Sequence, residues 1–249
     1  MMIWHNQLVL HSFCKLQTFI VNNCGNLKKL FPHNMQRIIQ NLEKLEIWSC
    51  DLVEEVFEIR SINVEETFDP VASMLRDLKL CNLRNLKHVW SSDPQAYLTF
   101  QNLREVKIDG CIFLKSVFPI SVAKSLTQLE ELRIKNCGVE EIVAMEEGSE
   151  TTIEFVLPRV TCLELEDLPE LKCFYPRKHT SKWPSLKRLK IYGCPKVKIV
   201  SSDDISCKDI NGLEHRHVPI QRALFRIDKV RAHTTLSHIY MTPFINILE

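Results

Sequence analysis

The chain has 249 residues, of which 45% are hydrophobic and 25% charged, so it is long and apolar enough for one or two folded domains. Its 32 lysines and arginines nearly balance 31 aspartates and glutamates, and a net charge of +1 argues against nucleic acid or an anionic membrane as the main partner. Only six residues are glycine, which disfavours nucleotide-binding folds built on glycine-rich loops.

The sequence carries no address for secretion or for a membrane. No run reaches the roughly 18 apolar residues needed to cross a bilayer, and residues 1–19 lack the basic start of a signal peptide. There is no Asn-x-Ser/Thr glycosylation site and no CxxC pair among the ten cysteines. We therefore expect a cytoplasmic protein with reduced cysteines and without a metal or another cofactor.

A repeated pattern, LxxLxLxxC/L, runs along the chain. Its third apolar position recurs at residues 21, 47, 80, 108, 134, 165 and 191, at intervals of 26 to 33 residues. The seven matching segments are residues 16–24, 42–50, 75–83, 103–111, 129–137, 160–168 and 186–194. Seven matches at such spacing predict a repeat architecture.

Each repeat predicts one short strand, because LxL alternation places its apolar side chains on one face. Such a strand cannot bury its apolar face alone, so the strands stack in parallel and return through long connectors. Connectors 34–41 and 121–128 look helical, whereas 58–73, 145–155 and 177–183 look irregular. The expected fold is an α/β solenoid with a curved parallel sheet on its concave face and helices and loops on its convex face.

Five of the ten cysteines occupy one repeat position, three residues after the third apolar position of the pattern. They are Cys24, Cys50, Cys111, Cys137 and Cys194. At this bend a small side chain fits under the turn, so we expect a buried structural ladder. Cys81 lies elsewhere, on the strand itself, and a reactive thiol there has no histidine partner that the sequence identifies. We expect no catalytic site.

Two columns of residues should line the concave face. The first concave column is Ile20, Glu46, Lys79, Lys107, Arg133, Glu164 and Lys190, and the second is Asn22, Trp48, Cys81, Asp109, Lys135, Glu166 and Tyr192. All of them except Ile20, Asn22 and Cys81 are candidate protein-binding residues, because Trp48 and Tyr192 are aromatic where solubility would favour charge. The middle of this surface reads as basic. The alternative is that these charges only keep the sheet soluble.

Residues 112–143, 155–175 (FVLPRVTCLELEDLPELKCFY) and 183–200 (WPSLKRLKIYGCPKVKIV) carry a more specific likeness. Alternation of LxxLxIxxC with LxLxxLPxL resembles the leucine-rich-repeat region of plant intracellular disease-resistance proteins of the coiled-coil, nucleotide-binding type. The resemblance implies about seven repeats over residues 1–200 and a non-enzymatic defence module that recognises a pathogen effector or a guarded host protein. Residues 201–249 are expected to be divergent, either one degenerate repeat or a poorly ordered segment.

The chain departs from that family in one respect. No GxxxxGK[ST] phosphate loop is present, so the nucleotide-binding switch domain is absent from this chain, which we expect to be a repeat-only member or a fragment. Other interpretations remain: a leucine-rich-repeat substrate receptor or adaptor outside immunity, a decoy fragment without signalling, and an enzyme that uses Cys81. An extracellular receptor is disfavoured because the chain has no signal peptide, membrane span or glycosylation site.

Overall fold

A computed structural model describes residues 15–32, 36–59, 71–94, 98–145, 153–177, 179–197, 200–201 and 226–227. In chain order its elements are β1 (Thr18–Asn22), β2 (Lys29–Phe31), α1 (Gln36–Asn41), β3 (Lys44–Trp48), β4 (Glu55–Phe57), β5 (Val71–Ala72), β6 (Asp77–Cys81), β7 (His88–Trp90), β8 (Leu98–Thr99), β9 (Glu105–Asp109), β10 (Ser116–Phe118), α2 (Ile120–Ser125), β11 (Glu131–Lys135), β12 (Glu141–Val143), β13 (Ile153–Val156), β14 (Cys162–Glu166), β15 (His179–Lys182), β16 (Arg188–Tyr192), β17 (Val200–Ser201) and β18 (Arg226–Ile227). The predicted segment 201–249 lies outside the described residues, apart from Ser201 and β18.

One parallel sheet of seven strands confirms the predicted solenoid. Its order is β1-β3-β6-β9-β11-β14-β16, so each repeat adds one strand beside the previous one. The apolar residues at the second and fourth strand positions point into the core, as Leu45 and Ile47 do in β3, where both are fully buried. The predicted leucine spacing therefore sets the register of all seven strands.

A left-handed residue ends every strand of this sheet. The φ angles lie between 50° and 68° at Asn23, Ser49, Asn82, Gly110, Asn136, Asp167 and Gly193. Five of these seven positions use Asn, Asp or Ser, and the short polar side chains of Asn and Asp tolerate this backbone region best. The backbone N–H of such a residue continues the ladder, as in Asp167 N to Tyr192 O at 2.8 Å. The turns that close the repeats consequently need little glycine.

The connectors contain more strand than the sequence predicted. The two helices confirm the connectors expected to be helical: α1 includes every described residue of connector 34–41, and α2 includes residues 121–125 of connector 121–128. The connectors predicted to be irregular carry β5, part of β13, and β15, so that prediction was wrong in these stretches. The reason is pairing between repeats: β5 pairs with β8 and β13 with β15, which satisfies their backbone groups.

Aromatic rings pack in sequence through the interior of the first repeats. Phe31 stacks on Phe57 and Phe57 on Trp90, with ring centroids 5.6 and 5.7 Å apart, and Trp90 contacts Phe118 at 5.8 Å. These aromatic residues are the last residues of the strands β2, β4, β7 and β10, at equivalent positions in successive repeats. A shared core therefore joins neighbouring repeats, as a solenoid requires.

The cysteine ladder forms at the predicted bend. Cys50, Cys111, Cys137 and Cys194 are buried, and their thiols donate to the carbonyl two residues earlier, as Cys137 does to Lys135 O at 2.9 Å. Cys24 was also predicted to be buried, but the structure shows it exposed. It follows β1, the first strand of the described sheet, and no described repeat covers it on that side.

Candidate protein-binding surface

The structure aligns both predicted concave columns across the sheet. In the first concave column Ile20 pairs with Glu46, Glu46 with Lys79, and the series continues without a slip to Lys190. The second concave column runs in the same way from Asn22 to Tyr192. All eleven candidate residues therefore share one face of the sheet, because residues two apart on a strand point to the same side.

A third concave column lies beside the two that were predicted. It consists of the first residue of each strand, namely Thr18, Lys44, Asp77, Glu105, Glu131, Cys162 and Arg188. The same two-residue period, extended back by one step in each repeat, would have found it. With this column the face carries seven acidic and seven basic side chains. They are Glu46, Asp77, Glu105, Asp109, Glu131, Glu164 and Glu166 against Lys44, Lys79, Lys107, Arg133, Lys135, Arg188 and Lys190.

Ion pairs link the strands β3, β6 and β9 of this face. Glu46 lies 3.1 Å from Lys44 Nζ and 3.4 Å from Lys79 Nζ. Lys79 also approaches Glu105 at 3.9 Å, and Glu105 in turn pairs with Lys107. Burial on its own would raise the pKa of Glu46, but hydrogen bonds and charge attraction from the two lysines outweigh it and lower that pKa.

The last three strands carry a denser set of ion pairs around two glutamates. Glu164 is buried, and Arg133, Lys135 and Arg188 each place a nitrogen 3.6 Å from its carboxylate. Glu166 Oε1 lies 2.9 Å from both Lys135 Nζ and Lys190 Nζ. Burial opposes ionisation of Glu166, yet hydrogen bonds from the two lysines bring its pKa below the usual value.

The expected basic middle of the face is therefore neutralised. Lys79, Lys107, Arg133 and Lys135 all have a carboxylate partner within ion-pair distance. Two of the partners, Glu105 and Glu131, belong to the third concave column. The prediction of a basic middle considered only the first two concave columns, and it was therefore wrong. The paired surface offers an ordered pattern of both signs instead of a field of one sign.

Partly exposed apolar side chains stand at the two ends of this charged field. Trp48 is 37% exposed and Tyr192 38% exposed, both in the second concave column and five strand steps apart, which corresponds to about 24 Å. Ile20, next to Glu46 in the first concave column, is 55% exposed. Aromatic side chains in such positions supply large contact area at low entropic cost.

Cys81, the thiol considered as a possible nucleophile, lies between Trp48 and Asp109 in the second concave column. Burial raises the pKa of Cys81 to about 11, and the negative charge of Asp109 adds to that effect. At neutral pH the group is therefore protonated and a poor nucleophile. Within the described ranges, no three His, Cys, Asp or Glu side chains are grouped so that they could hold a metal ion.

Two glutamates outside the concave columns, Glu54 and Glu140, form ion pairs between repeats. Glu140 lies between Lys115 at 2.8 Å and Lys172 at 2.6 Å, and Glu54 contacts Lys87 at 2.8 Å. These side chains occupy equivalent positions at one rim of the solenoid and are partly exposed. This placement supports a structural, solvated role for them. None of the helices in the described stretches is long and apolar enough to cross a membrane.

Comparison with known proteins agrees with the repeat geometry. A probable disease resistance protein of Arabidopsis thaliana is 27% identical over 184 residues, an alignment that covers 69% of this chain. The chain spans only 23% of that relative. No solved structure matches the chain significantly. The family model for leucine-rich repeats of plant disease resistance proteins of the RPS2-like type matches residues 1–138, more than half of the sequence. The chain thus belongs to the RPS2-like leucine-rich-repeat family of plant disease resistance proteins.

Proposed function

We propose that the chain is a recognition module of plant defence that binds a pathogen effector or a guarded host protein through its three concave columns. Membership of the disease-resistance repeat family supports the defence role. The main support for this binding surface is the unbroken strand register. It places the partly exposed Trp48 and Tyr192 at the two ends of one array of ion-paired side chains. The eleven candidate residues then act as one binding surface.

The ion pairs suit this surface for recognition. Long lysine and arginine side chains lose much conformational entropy when a partner fixes them. Here Lys79, Lys135 and Lys190 are already held by carboxylates, so less entropy is lost on binding. Because the face has no excess of either charge, a partner is selected by its charge pattern and shape instead of by general attraction.

The size of the face defines what it contributes to an interface. Seven strands extend over roughly 29 Å, and three columns extend over about 13 Å along each strand. A standard protein interface buries about 800 Å² on each partner, so the concave columns form the centre of the contact and not all of it. Energetic hot spots concentrate at such centres and favour aromatic residues and arginine.

The proposed activity is binding only. The repeat solenoid and its family are typically non-enzymatic, and the raised pKa of Cys81 gives no support to a thiol mechanism. We place the binding inside the plant cell, in keeping with the family. Signalling by nucleotide exchange belongs to the switch domain of such receptors and is not proposed for this sequence.

The test starts from a partner found by screening the chain against pathogen effectors and host proteins. Affinity for that partner is then measured for wild type, Trp48→Ala, Tyr192→Ala and the double variant. We expect the double variant to bind at least about tenfold more weakly, the usual effect of removing interface aromatics. All variants should keep the circular dichroism spectrum of the wild type, because both side chains are partly exposed.

Two exposed apolar residues away from the concave columns provide the matched control. Ile112 and Phe113 are 54% and 52% exposed in the turn after Cys111. The double variant Ile112→Ala/Phe113→Ala removes similar apolar area and should leave the affinity unchanged. If this control abolished binding while Trp48→Ala/Tyr192→Ala had no effect, the concave columns would not be the binding surface.

A further inference from the structure

The first two thiols of the cysteine ladder lie against each other. The backbone N–H of Cys24 donates to Cys50 Sγ at 3.3 Å. The thiol of Cys24 donates to Asn22 O at 3.7 Å and that of Cys50 to Trp48 O at 3.2 Å. Since Asn22 and Trp48 are paired across β1 and β3, both sulfurs lie on the same side of two adjacent repeats.

The spacing between the two backbones is compatible with a disulfide. Adjacent parallel strands are about 4.8 Å apart. The Cα atoms of disulfide-bonded cysteines are typically about 4.4–6.8 Å apart, so the two backbones need little adjustment. The two residues also influence each other. Burial raises the pKa of Cys50, the backbone N–H of Cys24 opposes this rise, and the Cys24 thiol adds to it.

Access distinguishes this pair from the comparable one further along the ladder. Cys111 and Cys137 make the same contact, with Cys111 N donating to Cys137 Sγ at 3.4 Å, but both are buried. Cys24 is exposed, whereas Cys50 is fully buried beneath it. A dissolved oxidant can reach Cys24 in the folded protein, and the Cys50 thiol is then close at hand.

We propose that Cys24 and Cys50 are a redox modification site, at which a small-molecule disulfide such as oxidised glutathione converts the two thiols into an intramolecular disulfide. The site does not depend on the proposed binding function. It would join the first two repeats covalently at the end of the sheet where Trp48 is exposed.

The reaction proceeds by two thiol–disulfide exchanges. The thiolate of Cys24 attacks one sulfur of oxidised glutathione, which forms a mixed disulfide and releases one glutathione thiolate that takes up a proton. Cys50 then loses its proton and attacks the Cys24 sulfur, which releases the second glutathione. In balance, two protein thiols are oxidised to one disulfide, and one oxidised glutathione is reduced to two glutathione molecules.

The experiment exposes the full-length native protein to oxidised glutathione, quenches it with an alkylating reagent and maps the cysteines by mass spectrometry of peptides. Wild type should yield a Cys24–Cys50 disulfide. Cys50→Ala should stop at a glutathione adduct on Cys24, and Cys24→Ala should leave Cys50 reduced. The pair Cys111–Cys137 is the internal control and should oxidise at least about tenfold more slowly, since neither thiol is accessible.

The wild-type map decides the outcome even if a variant folds poorly. A persistent glutathione adduct on wild-type Cys24 would overturn the proposal, because Cys50 would then have failed to attack. So would a disulfide from Cys24 to any other cysteine, or the absence of any reaction at Cys24. Equal oxidation of Cys111–Cys137 would also overturn it, since the reaction would then reflect general opening of the ladder.

Discussion

A Cβ atom on Gly110 would lie 2.5 Å from the side-chain Oδ1 of Asn82 in the preceding repeat. Both residues occupy the left-handed position that ends a strand of the sheet, with φ angles of 68° and 55°. The Asn82 side chain therefore occupies the space that a side chain at position 110 would need. Glycine at position 110 leaves that space open, which explains one of the few glycines in the sequence.

Gly110→Ala should therefore destabilise the solenoid. The substitution adds the cost of a side chain in the left-handed region to a clash with Asn82, together about 1–3 kcal/mol. Urea unfolding followed by circular dichroism measures the change. Gly25→Ala is the matched control, because a Cβ at Gly25 meets no atom within 4 Å. We expect that control to shift stability by less than about 1 kcal/mol. Equal losses in both variants would refute the explanation.

A second prediction concerns the rim ion pair of Glu140. Hydrogen bonds from Lys115 and Lys172 lower the pKa of this carboxyl to about 2, from an ordinary value of 4.5. A lowered folded-state pKa gives stability that is present above about pH 4.5 and is lost as the pH falls towards 2. The unfolding temperature of Glu140→Gln should therefore be lower than that of wild type at pH 6, and the difference should vanish near pH 2.

A lysine variant checks the assigned cause of this shift. Lys172→Gln removes one of the two donors and leaves Lys115 in place at 2.8 Å. The pKa of Glu140, followed by the NMR chemical shift of its carboxyl carbon, should move part of the way back towards its ordinary value. A titration that is unchanged in Lys172→Gln would show that this lysine does not hold the charge.

The sheet and its register could be predicted from sequence because the leucine spacing repeats seven times. An LxL strand has only one orientation that buries both apolar side chains, so Leu45 and Ile47 fix where Glu46 and Trp48 point. The family likeness, read from the connectors, is confirmed by the family match over residues 1–138. Both results rest on local pattern, which a single sequence carries.

The electrostatics of the face could not be predicted in the same way. Glu105 and Glu131 precede the two alternating apolar residues of their strands and look like connector residues until the strand boundaries are known. Whether Lys79 meets Glu46 or Glu105 then depends on side-chain conformations in neighbouring repeats. The exposure of Cys24 likewise depends on its position at the end of the described sheet and not on its local motif.

A third prediction concerns Glu164, the most buried charge of the concave columns. Glu164→Gln removes the negative charge that faces Arg133, Lys135 and Arg188, and it leaves three cations close together. We expect a loss of about 1–3 kcal/mol in the free energy of unfolding, measured by urea denaturation. Glu170→Gln breaks an exposed pair with Lys196 and should leave the stability close to that of the wild type. If the two variants were equally stable, the cluster would contribute no more than a surface pair.

The last prediction distinguishes the proposed binding function from the alternative hypothesis of an enzyme that uses Cys81 as its nucleophile. Because burial raises the pKa of Cys81 to about 11, only a small fraction is thiolate at pH 7, and alkylation by iodoacetamide should be slow. Its rate should rise about tenfold for each pH unit between pH 7 and 10, since thiolate is the reacting form. Peptide mapping distinguishes it from the exposed Cys24, and Cys81→Ser identifies its signal. Rapid labelling of Cys81 at pH 7 would contradict the raised pKa and would restore a nucleophilic role for this thiol.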